Sequence, residues 1–419
     1  MPDRPPGVER GSTLRSEETR RLAARLANDL PVLASEVFDF VATQLDQVNA
    51  DEETRALTMA ACVSTVEAGL WMLAHGVPAE RAHAPVAALE HARHMAARGE
   101  GINATLRFYR LGHAYFWERW AEAAGAAVDD RVRLIELLRD VSAFMFGFLD
   151  VISGEVSAEL LAERDRRQRR VTAQREEVVE AILAGAHVDV ARAELTLGFA
   201  FQRPQFAFIC WTDDDPGALE PAAEAVIAAV GGSRWLLISE GADELAGWVS
   251  APRLERLVPA VLSAAVAQVA AGVHVAVGGV TSGLQGFRTS HEEAQRARRV
   301  ARLAAPSAPR LTRFEDVALV DLLSCDLPAA QAFVAAELGG LASRDERAGE
   351  LREFMLLYLT AGDSHTSAAA ALGVHRNTAR QRLQRAEELR GRPVTRHRSE
   401  LLAALVLVEA LGDTVLSSA

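Results

Sequence analysis

The 419-residue chain contains no lysine, three cysteines and three tyrosines. Every basic side chain apart from histidine is therefore an arginine, which with the excess of alanine indicates a genome of high GC content and nothing about function. Cys62, Cys210 and Cys325 are far apart, odd in number and form no Cys-x-x-Cys pair. Neither a disulfide framework nor a zinc site is indicated, and we expect all three thiols to be buried in a reducing cytosol.

The sequence also has little that indicates a membrane or a secretory route. Its first residues, MPDRPPGVERG, lack an apolar core and predict no signal peptide, and residues 1–15 are predicted to be a disordered tail. The uncharged run 258–281 is long enough to suggest a transmembrane helix. However, it contains Pro259, Gln268 and His274, and its pattern changes midway. We predict a buried helix followed by a buried strand, no membrane span, and a cytoplasmic protein.

The composition, 49% hydrophobic and 24% charged, is typical of globular proteins, and the length suffices for two to four domains. The hydrophobic period predicts a multidomain α and α/β fold: an all-α N-terminal bundle, an α/β middle domain and an all-α C-terminal domain. The predicted parts are a disordered tail (1–15), a helical bundle (16–152), a helical linker (153–185), the α/β domain (186–320), a helical connector (321–350) and a helix-turn-helix domain (351–419).

Residues 16–152 repeat apolar side chains every three to four positions, which predicts six or seven packed helices. Two of the five histidines in this region, His91 and His94, lie one helical turn apart, so a metal or haem site is one interpretation. Solvated or hydrogen-bonded histidines are the other, and no second ligand pair at matching spacing supports a metal. We predict no metal and no cofactor. The aromatic residues Trp71 and 115–120 are predicted to line a pocket.

Residues 155–184 contain no helix breaker, which predicts one long helix. Its apolar positions are close to a heptad pattern: Val156, Leu160, Val171, Val178 and Ile182. We expect this seam to pair with a second copy as a short coiled coil, although a single solvated helix is the alternative. The polar centre, residues 164–170, would weaken any one register and so permit a signal to pass from the bundle.

From residue 195 onward the apolar period alternates between that of strands and that of helices. This alternation predicts an α/β sandwich, with helices over a mainly antiparallel sheet. The predicted strands are 206–211, 235–238, 245–249 and 273–277. The predicted helices are 219–230, 254–271 and 291–303.

Near the end of the chain, residues 364–391 read SHTSAAAALGVHRNTARQRLQRAEELRG. An alanine-rich helix ends at Gly373, which gives the backbone the freedom that a sharp turn needs. A basic helix follows at 376–390, and together these are the parts of a helix-turn-helix. The side chains predicted to face inward are Leu372, Val374, Ala379, Leu383 and Ala386.

The turn and the opposite face of the second helix carry the predicted DNA-binding side chains: His375, Arg376, Asn377, Thr378, Arg380, Gln381 and Arg385. Arginine reads guanine, asparagine and glutamine read adenine, and other arginines hold phosphates; we expect Arg390 and Arg392 to contact phosphates only. Residues 376–398 include eight arginines and two glutamates, in a chain of formal net charge −12. Such a basic island favours nucleic-acid binding. A helical hairpin with a solvated arginine face is the alternative.

These residues carry a resemblance to a known family. The segment 372–378 (LGVHRNT), with 351–359 before it and 399–411 after it, resembles the C-terminal helix-turn-helix of PucR/CdaR-type bacterial transcriptional regulators, a module similar to the Fis DNA-binding domain. It departs from that pattern at Ala379, where a larger aliphatic residue is usual. Residues 241–245 (GADEL) resemble the signature hairpin of the degenerate GGDEF-like domain in the same regulators, and the N-terminal bundle resembles RsbR-type sensor domains.

The resemblance implies a cytoplasmic regulator that binds a double-stranded DNA operator as a homodimer or a dimer of dimers. Its N-terminal half would sense a small-molecule effector or a protein partner, and no enzymatic activity is implied. Two alternatives stay open. One is a diguanylate cyclase or a c-di-GMP-binding protein, and the other is a stressosome-like scaffold.

The cyclase alternative has specific requirements. The reaction needs Mg²⁺ held by carboxylates at the first strand and the hairpin, and glycines that let the backbone approach phosphates. Here the first strand ends in Cys210 and Trp211, and Ala242 replaces the second hairpin glycine. We therefore expect catalysis to be lost, and we expect Asp243 and Glu244 to be solvated, although a retained ligand site is the other interpretation.

Overall fold

The computed structural model describes residues 17–251, 254, 258–305, 308–362 and 364–416. The predicted tail at 1–15 lies outside them. The chain divides into two compact units, Met1–Ala173 and Gln174–Ala419. The first unit is helical, and the second contains a five-stranded sheet followed by helices. The predicted fold class, an all-α bundle, an α/β middle domain and an all-α C-terminal domain, is confirmed.

The first unit is a bundle of long helices whose bounds are α1 Glu17–Asn28, α2 Leu30–Gln44, α3 Glu52–His75, α4 Val86–Ala97, α5 Ile102–Ala127 and α6 Arg131–Leu183. Asp51 caps α3 by accepting the Thr54 N–H at 2.7 Å, and Gly76 ends α3 in the left-handed conformation. Phe38, Leu70, Leu73 and Trp120 are fully buried in the shared core.

Within the described residues, α3 is the one single helix long and apolar enough to cross a membrane. A second candidate would be Phe314–Leu323 with Leu327–Ala342, two helices bent by 85°. Core helices of soluble proteins satisfy the same criterion, and Cys62, Leu70 and Leu73 of α3 are buried in the bundle core. The run 258–281, which the sequence singled out, contains no candidate span.

The histidines of the bundle form no ligand pair. His91 is buried beside the Phe108 ring, and burial, with a smaller effect of His94, lowers its pKa to about 4. His94 instead forms a hydrogen bond with the Thr54 hydroxyl at 2.8 Å. Among the described residues, no group of three or more His, Cys, Asp or Glu side chains is placed to hold a metal. Trp71 is exposed and stacks on His75, so it lines no interior pocket.

Helix α6 carries the chain from the first unit into the second without a break over its 53 residues. The predicted linker boundary at residue 153 therefore falls inside a continuous helix. The coiled-coil interpretation is wrong for most of its seam, because Val156 and Leu160 are buried in the bundle core and Ile182 is buried in the core of the second unit. Val171 is the heptad residue that stays exposed.

The polar centre of α6 is anchored. Arg164 donates to the Glu100 carbonyl at 2.6 Å, and Arg167 donates to the carbonyl of Ala97, the last residue of α4. Arg166 forms ion pairs with Glu159 and Glu163, at 2.7 and 2.8 Å. Arg167 thus satisfies a carbonyl that the end of α4 leaves open, and Arg164 bonds the turn that follows α4. Beyond them, residues 167–174 are all exposed to solvent.

The middle of the chain forms a sheet with the strand order β2-β3-β1-β4-β5. The strands are β1 Gln205–Thr212, β2 Arg234–Ser239, β3 Glu244–Ser250, β4 Val273–Val277 and β5 Leu311–Arg313, and the helices around them are α7 Val190–Leu197, α8 Leu219–Ala229, α9 Pro259–Ala267 and α10 Gly283–Ala304. The β2/β3, β3/β1 and β1/β4 pairs are antiparallel, and β4/β5 is parallel.

The four strands predicted from the sequence are present within a few residues, and the three-residue strand β5 was missed. The predicted helix 254–271 is wrong in extent, because the structure forms only α9 there; residues 255–257 lie outside those described. Helix α9 is also largely exposed, with Leu262 and Val266 as its buried residues. Strand β1 is buried on both faces: Phe206 and Phe208 face one core, and Ile209 faces the other.

Helix α10 joins the sheet to the C-terminal part of the chain. Its first half is buried against the sheet, where the Phe287 ring stacks on Trp248 with centroids 4.4 Å apart. Its last turns place Val300 and Ala304 in the C-terminal core. That core also contains residues of α11 Phe314–Leu323, α12 Leu327–Leu338, α13 Glu346–Thr360, α14 His365–Ala371, α15 Arg376–Arg390 and α16 Arg398–Leu411. The predicted connector 321–350 thus packs together with the helix-turn-helix.

Asp321 of α11 fixes this junction. Its buried carboxylate accepts hydrogen bonds from Arg296 at 2.5 Å and from Arg299 at 2.6 Å, both on α10. Nearby, Cys325 is exposed, whereas Cys62 and Cys210 are buried, so the expectation of three buried thiols is wrong for one of them.

We predict that Asp321→Ala lowers the opening free energy of the α10–α11 junction by about 2–3 kcal/mol. This is below the cost of breaking a fully buried ion pair, because both arginines remain partly exposed to water. Native-state hydrogen exchange of α10 and α11 amides measures the change. The matched control is Asp316→Ala on the exposed start of α11, with an expected cost below about 1 kcal/mol. Equal protection in Asp321→Ala and the wild type would contradict this assignment.

Candidate nucleic-acid interface

The two helices of the helix-turn-helix are defined by local capping. Ser364 caps α14 by accepting a backbone N–H at 3.2 Å, and Gly373 adopts a φ of 64° in the turn. His375 caps α15, because its Nδ1 accepts the Asn377 N–H at 3.3 Å. Gly391, with a φ of 77°, ends α15. The sequence therefore sets the start and end of both helices through side chains within the same segment.

Small side chains let α14 and α15 pack closely. Ala368 and Ala369 on α14, and Ala379 and Ala386 on α15, are all buried. The predicted inward-facing set is confirmed, since Leu372, Val374 and Leu383 pack half-buried against the same core. A larger aliphatic residue at Ala379, which is fully buried, would push α15 outward.

Most of the predicted DNA-binding side chains are exposed. These are His375, Arg376, Asn377, Arg380, Gln381 and Arg385. Thr378 is half-buried in a groove that α15 forms with the start of α13. Because Nδ1 of His375 accepts the capping hydrogen bond, the neutral ring carries its proton on Nε2, which is then a donor suited to a phosphate oxygen.

The exposed face of α15 differs between its two halves. Arg376 and Arg380, in the first turns, have no described acidic neighbour within ion-pair distance. In the second half, Glu388 accepts from Arg385 at 2.8 Å and from Gln384 at 3.5 Å. The positive charge available to a nucleic acid is therefore concentrated near the start of α15. Sequence reasoning missed Gln384, which is exposed and follows Asn377 at a spacing of two helical turns.

Arg390 is not a phosphate contact. The residue is 5% exposed, and its guanidinium donates to the Glu337 carbonyl at 3.0 Å and to the Glu337 carboxylate at 3.2 Å. Two further bonds reach the carbonyls of Pro393 and Arg396, at 2.8 and 2.9 Å. Burial lowers the pKa of Arg390, with the bonds to Glu337 opposing that shift. The prediction that Arg390 contacts phosphates is wrong, because the arginine holds the end of α15 inside the protein.

Three basic side chains contact the carboxylate of Glu337 on α12. Besides Arg390, Arg392 lies 2.9 Å from its carboxylate and His397 lies 3.3 Å from it. Burial raises the pKa of Glu337, but the hydrogen bonds from His397 and Arg390 and the nearby arginine charges outweigh this, so the pKa is lowered overall. We call Glu337, Arg390, Arg392 and His397 the Glu337 cluster. The expected phosphate role of Arg392 is likewise replaced by a structural one.

Gly339 and Gly340 bring the end of α12 against the end of α15. A Cβ on Gly339 would lie 3.0 Å from the Arg390 carbonyl oxygen, and one on Gly340 would lie 3.0 Å from the Leu389 carbonyl oxygen. Gly339 also has a φ of 54°. Only glycine allows this approach without displacement. Together with the Glu337 cluster, these contacts fix the position of α15 relative to α12.

The hairpin that resembles a cyclase signature is neutralised by its neighbours. Glu244 is buried and forms an ion pair with Arg298 of α10, so the expectation that it is solvated is wrong. Asp243 lies 4.0 Å from Arg302 and is exposed, as expected. Glu240 accepts from the buried His291 at 2.9 Å. Burial lowers the pKa of Arg298, and the charges of Glu240 and Asp243 oppose that shift.

Comparisons with known proteins match three parts of the chain. The PucR C-terminal helix-turn-helix domain matches residues 351–407, the GGDEF-like domain matches residues 184–300, and the N-terminal domain of the RsbT co-antagonist protein RsbRD matches residues 31–175. No curated protein matches the chain. A solved structure, a regulator of polyketide synthase expression from Bifidobacterium adolescentis, is 21% identical, with 58% of this chain and 99% of that chain covered. The TM-score of that comparison is 0.30.

We predict that Glu337→Gln lowers the stability of the C-terminal helices by about 3 kcal/mol at pH 7, because it leaves the buried Arg390 charge unpaired. The folded-state pKa of Glu337 is below its unfolded value of about 4.3. The stabilisation is therefore complete above that value and is lost as the pH falls through the folded-state pKa. The gap between variant and wild type should narrow on acidification, as measured by hydrogen exchange of α15 amides.

The matched control for this prediction is Glu388→Gln, which removes the exposed carboxylate that pairs with Arg385 on α15. We expect it to cost less than about 1 kcal/mol at any pH. A gap between Glu337→Gln and the wild type that is constant from pH 7 to pH 3 would contradict the ionic role of the Glu337 cluster.

Proposed function

We propose that this chain, a PucR-type transcriptional regulator by its RsbRD N-terminal, GGDEF-like and PucR helix-turn-helix domains, binds a specific double-stranded DNA operator through the first turns of α15. The observation that carries the proposal is the exposed, unneutralised positive charge at the start of the second helix of a helix-turn-helix. That end of a recognition helix is the part that reaches base edges. A cytoplasmic location follows from this role.

The exposed side chains divide by the chemistry they offer. Asn377, Gln381 and Gln384 lie along one face of α15 and carry amides, which pair with adenine in the major groove. Arg376 and Arg380 are each suited to pairing with guanine or to holding a phosphate. His375, Thr378 and Arg385 flank this face and are suited to phosphate oxygens. The amide row supplies sequence preference, and the flanking groups supply affinity.

The Glu337 cluster supports this function by preorganisation. DNA recognition by a short helix requires that its side chains be held within a fraction of an ångström of their working positions. Arg390 ties the far end of α15 to α12, and Gly339 brings the two backbones into contact. We therefore assign Arg390 and Arg392 to positioning the recognition helix.

We propose that the working form is a homodimer or a dimer of dimers. One helix-turn-helix contacts only a few base pairs, and specificity over a genome normally requires two half-sites. The exposed apolar side chains Val132, Ile135 and Phe146 on the outer face of α6 support self-association in the first unit. Pairing along the heptad of α6 is not proposed, since most of that heptad is already buried within the chain.

We propose that the GGDEF-like domain is not catalytic. Trp211 stands at the end of β1, at the position where a cyclase needs a metal-binding carboxylate. The hairpin carboxylates Glu244 and Asp243 face Arg298 and Arg302, whereas a cation site would need both carboxylates free to bind the metal. The domain instead gives α10 a rigid support, through which it packs against the C-terminal core.

We propose that the helical first unit senses a small-molecule effector or a protein partner and that α6 transmits the result. The helix is a single element from Arg131 to Leu183, with both ends packed in hydrophobic cores. A rotation or tilt imposed at one end is carried along an unbroken helix. Binding to DNA would then change through the second unit.

We predict that Asn377→Ala relaxes the operator preference at one or two base pairs, by about 1–3 kcal/mol each, because it removes a bidentate base contact. Arg380→Ala should weaken binding to all sequences and reduce the salt slope by about one per lost contact if it holds a phosphate. The experiment is genome-wide mapping of binding sites, followed by gel retardation on the operator and on point-substituted operators. The control is Arg203→Ala, an exposed arginine of the middle domain, which should change neither property. Unaltered sequence preference in Asn377→Ala would refute this orientation of α15.

We predict that deleting Thr172 and Ala173 uncouples regulation from DNA binding, because two residues rotate one end of α6 relative to the other by about 200°. Deleting seven residues, 168–174, nearly restores the phase and should be milder. Both deletions lie in the exposed stretch and spare Arg164, Arg166 and Arg167. A reporter gene under a mapped operator measures regulation, and gel retardation measures binding. If both deletion variants regulate the reporter gene as the wild type does, α6 connects the two units without transmitting a signal.

A further inference from the structure

The first unit contains a cavity of about 70 Å³ between α2, α3, α5 and α6. Its walls are mainly aromatic and aliphatic, with the rings of Phe108, Phe116, Phe144 and Phe148 among them. Of the aromatic stretch that the sequence predicted to line a pocket, residues 115–120, it is Phe116 that lines this cavity. Small residues of α3 and α5, among them Ala61, Gly69 and Gly112, also line the cavity and leave the space open.

The polar groups on the wall are few and uncharged. The Thr65 hydroxyl is buried and has no hydrogen-bond partner among the described residues, although a helical threonine ordinarily bonds the carbonyl four residues before it. Burial lowers the pKa of His113, which favours the neutral ring. Burial raises the pKa of the Cys62 thiol to about 12, which keeps it protonated. An ionic ligand would find no counter-charge here.

We propose that this cavity is a binding site for a small, uncharged and mostly apolar molecule with one hydrogen-bonding oxygen, such as a short-chain alcohol, whose oxygen bonds the Thr65 hydroxyl. Water is a poor occupant, because a stable buried water needs two to four polar partners. The volume is several times the roughly 10–15 Å³ that one buried water requires, so it admits a molecule of about four non-hydrogen atoms. At the best known binding efficiency per atom, such a ligand would have a Kd no tighter than about 40 µM.

The site is placed to act on regulation. Phe144, Met145, Phe148 and Ile152 all line the cavity and all belong to α6, the helix that continues to Leu183 in the second unit. A molecule that fills the cavity therefore contacts the element proposed above to transmit the signal. The regulatory consequence rests on the proposed function, whereas binding to the cavity does not.

Gly69 of α3 offers a variant that fills the cavity without distorting it. A Cβ at this position would lie 3.7 Å from the Phe148 ring, which is ordinary van der Waals contact. Alanine is also the better helix former. Gly69→Ala should therefore fold at least as well as the wild type while occupying part of the space. Thr65→Val is the second variant, because it keeps the shape of the side chain and removes the hydroxyl.

The test uses the full chain labelled with ¹³C at its methionine methyl groups and titrated with 1-propanol. Met145 lines the cavity, and Met95, buried elsewhere in the same unit, is the internal reference. We expect a saturable shift of the Met145 methyl signal and none at Met95. Gly69→Ala should weaken the binding of 1-propanol at least tenfold, and Thr65→Val should weaken that binding by up to about tenfold. Xenon, a purely apolar probe, should bind Thr65→Val as it binds the wild type, and should bind Gly69→Ala weakly.

The opposite results overturn the proposal. These are a Met145 signal that does not saturate with either probe, equal affinities in Gly69→Ala and the wild type, or a Thr65→Val chain that binds 1-propanol as tightly as the wild type. Gel retardation with the mapped operator, run on the same proteins without either probe, reports on DNA binding alone. Loss of DNA binding with intact cavity binding would thus count against the proposed function and leave the cavity site standing.

Discussion

The ion pair between Glu337 and Arg390 is the interaction on which the C-terminal architecture depends. It lies out of solvent, and Arg390 is satisfied on every side, by a carboxylate and by backbone carbonyls of three residues. A buried charge pair of this kind adds little net stability compared with an apolar pair, but it tolerates only one geometry. It therefore fixes the direction in which α15 points. Gly339 and Gly340, at the end of α12, constrain the same contact through the backbone. A Cβ on either glycine would lie 3.0 Å from a carbonyl oxygen of α15.

Two long helices link regions that would otherwise be independent. Helix α6 is packed at its beginning and at its end, with a solvated stretch between, and Arg164 and Arg167 near the start of that stretch donate to the carbonyls of Glu100 and Ala97. Helix α10 has one half in the core of the sheet and the other in the C-terminal core, and Asp321 locks it to α11. Helix α10 therefore packs against both the sheet and the helices that carry the helix-turn-helix.

The middle domain matches the GGDEF-like domain and is built around a densely packed sheet. Its sheet is antiparallel apart from the β4/β5 pair, and it has a tightly packed centre, where Trp248 stacks on Phe287 and on His291. At the hairpin, Glu244 and Asp243 face Arg298 and Arg302 of α10. Through these ion pairs the hairpin is held against α10.

The sequence by itself determined the features that depend on neighbouring residues. The turn glycine, the buried alanines and the exposed amides of the helix-turn-helix all follow from spacing within one short segment, and the four longer strands follow from alternation. The tertiary structure alone decided the rest. Arg390 looks like any basic residue at the end of a recognition helix until Glu337, 53 residues earlier, is brought against it. The apolar positions of α6 have the spacing of a coiled coil, but two separate cores bury them first. The cavity is built from four helices, and β5 is too short to carry a pattern. A periodic pattern predicts that a face will be buried. Which surface that face packs against is set by the tertiary structure.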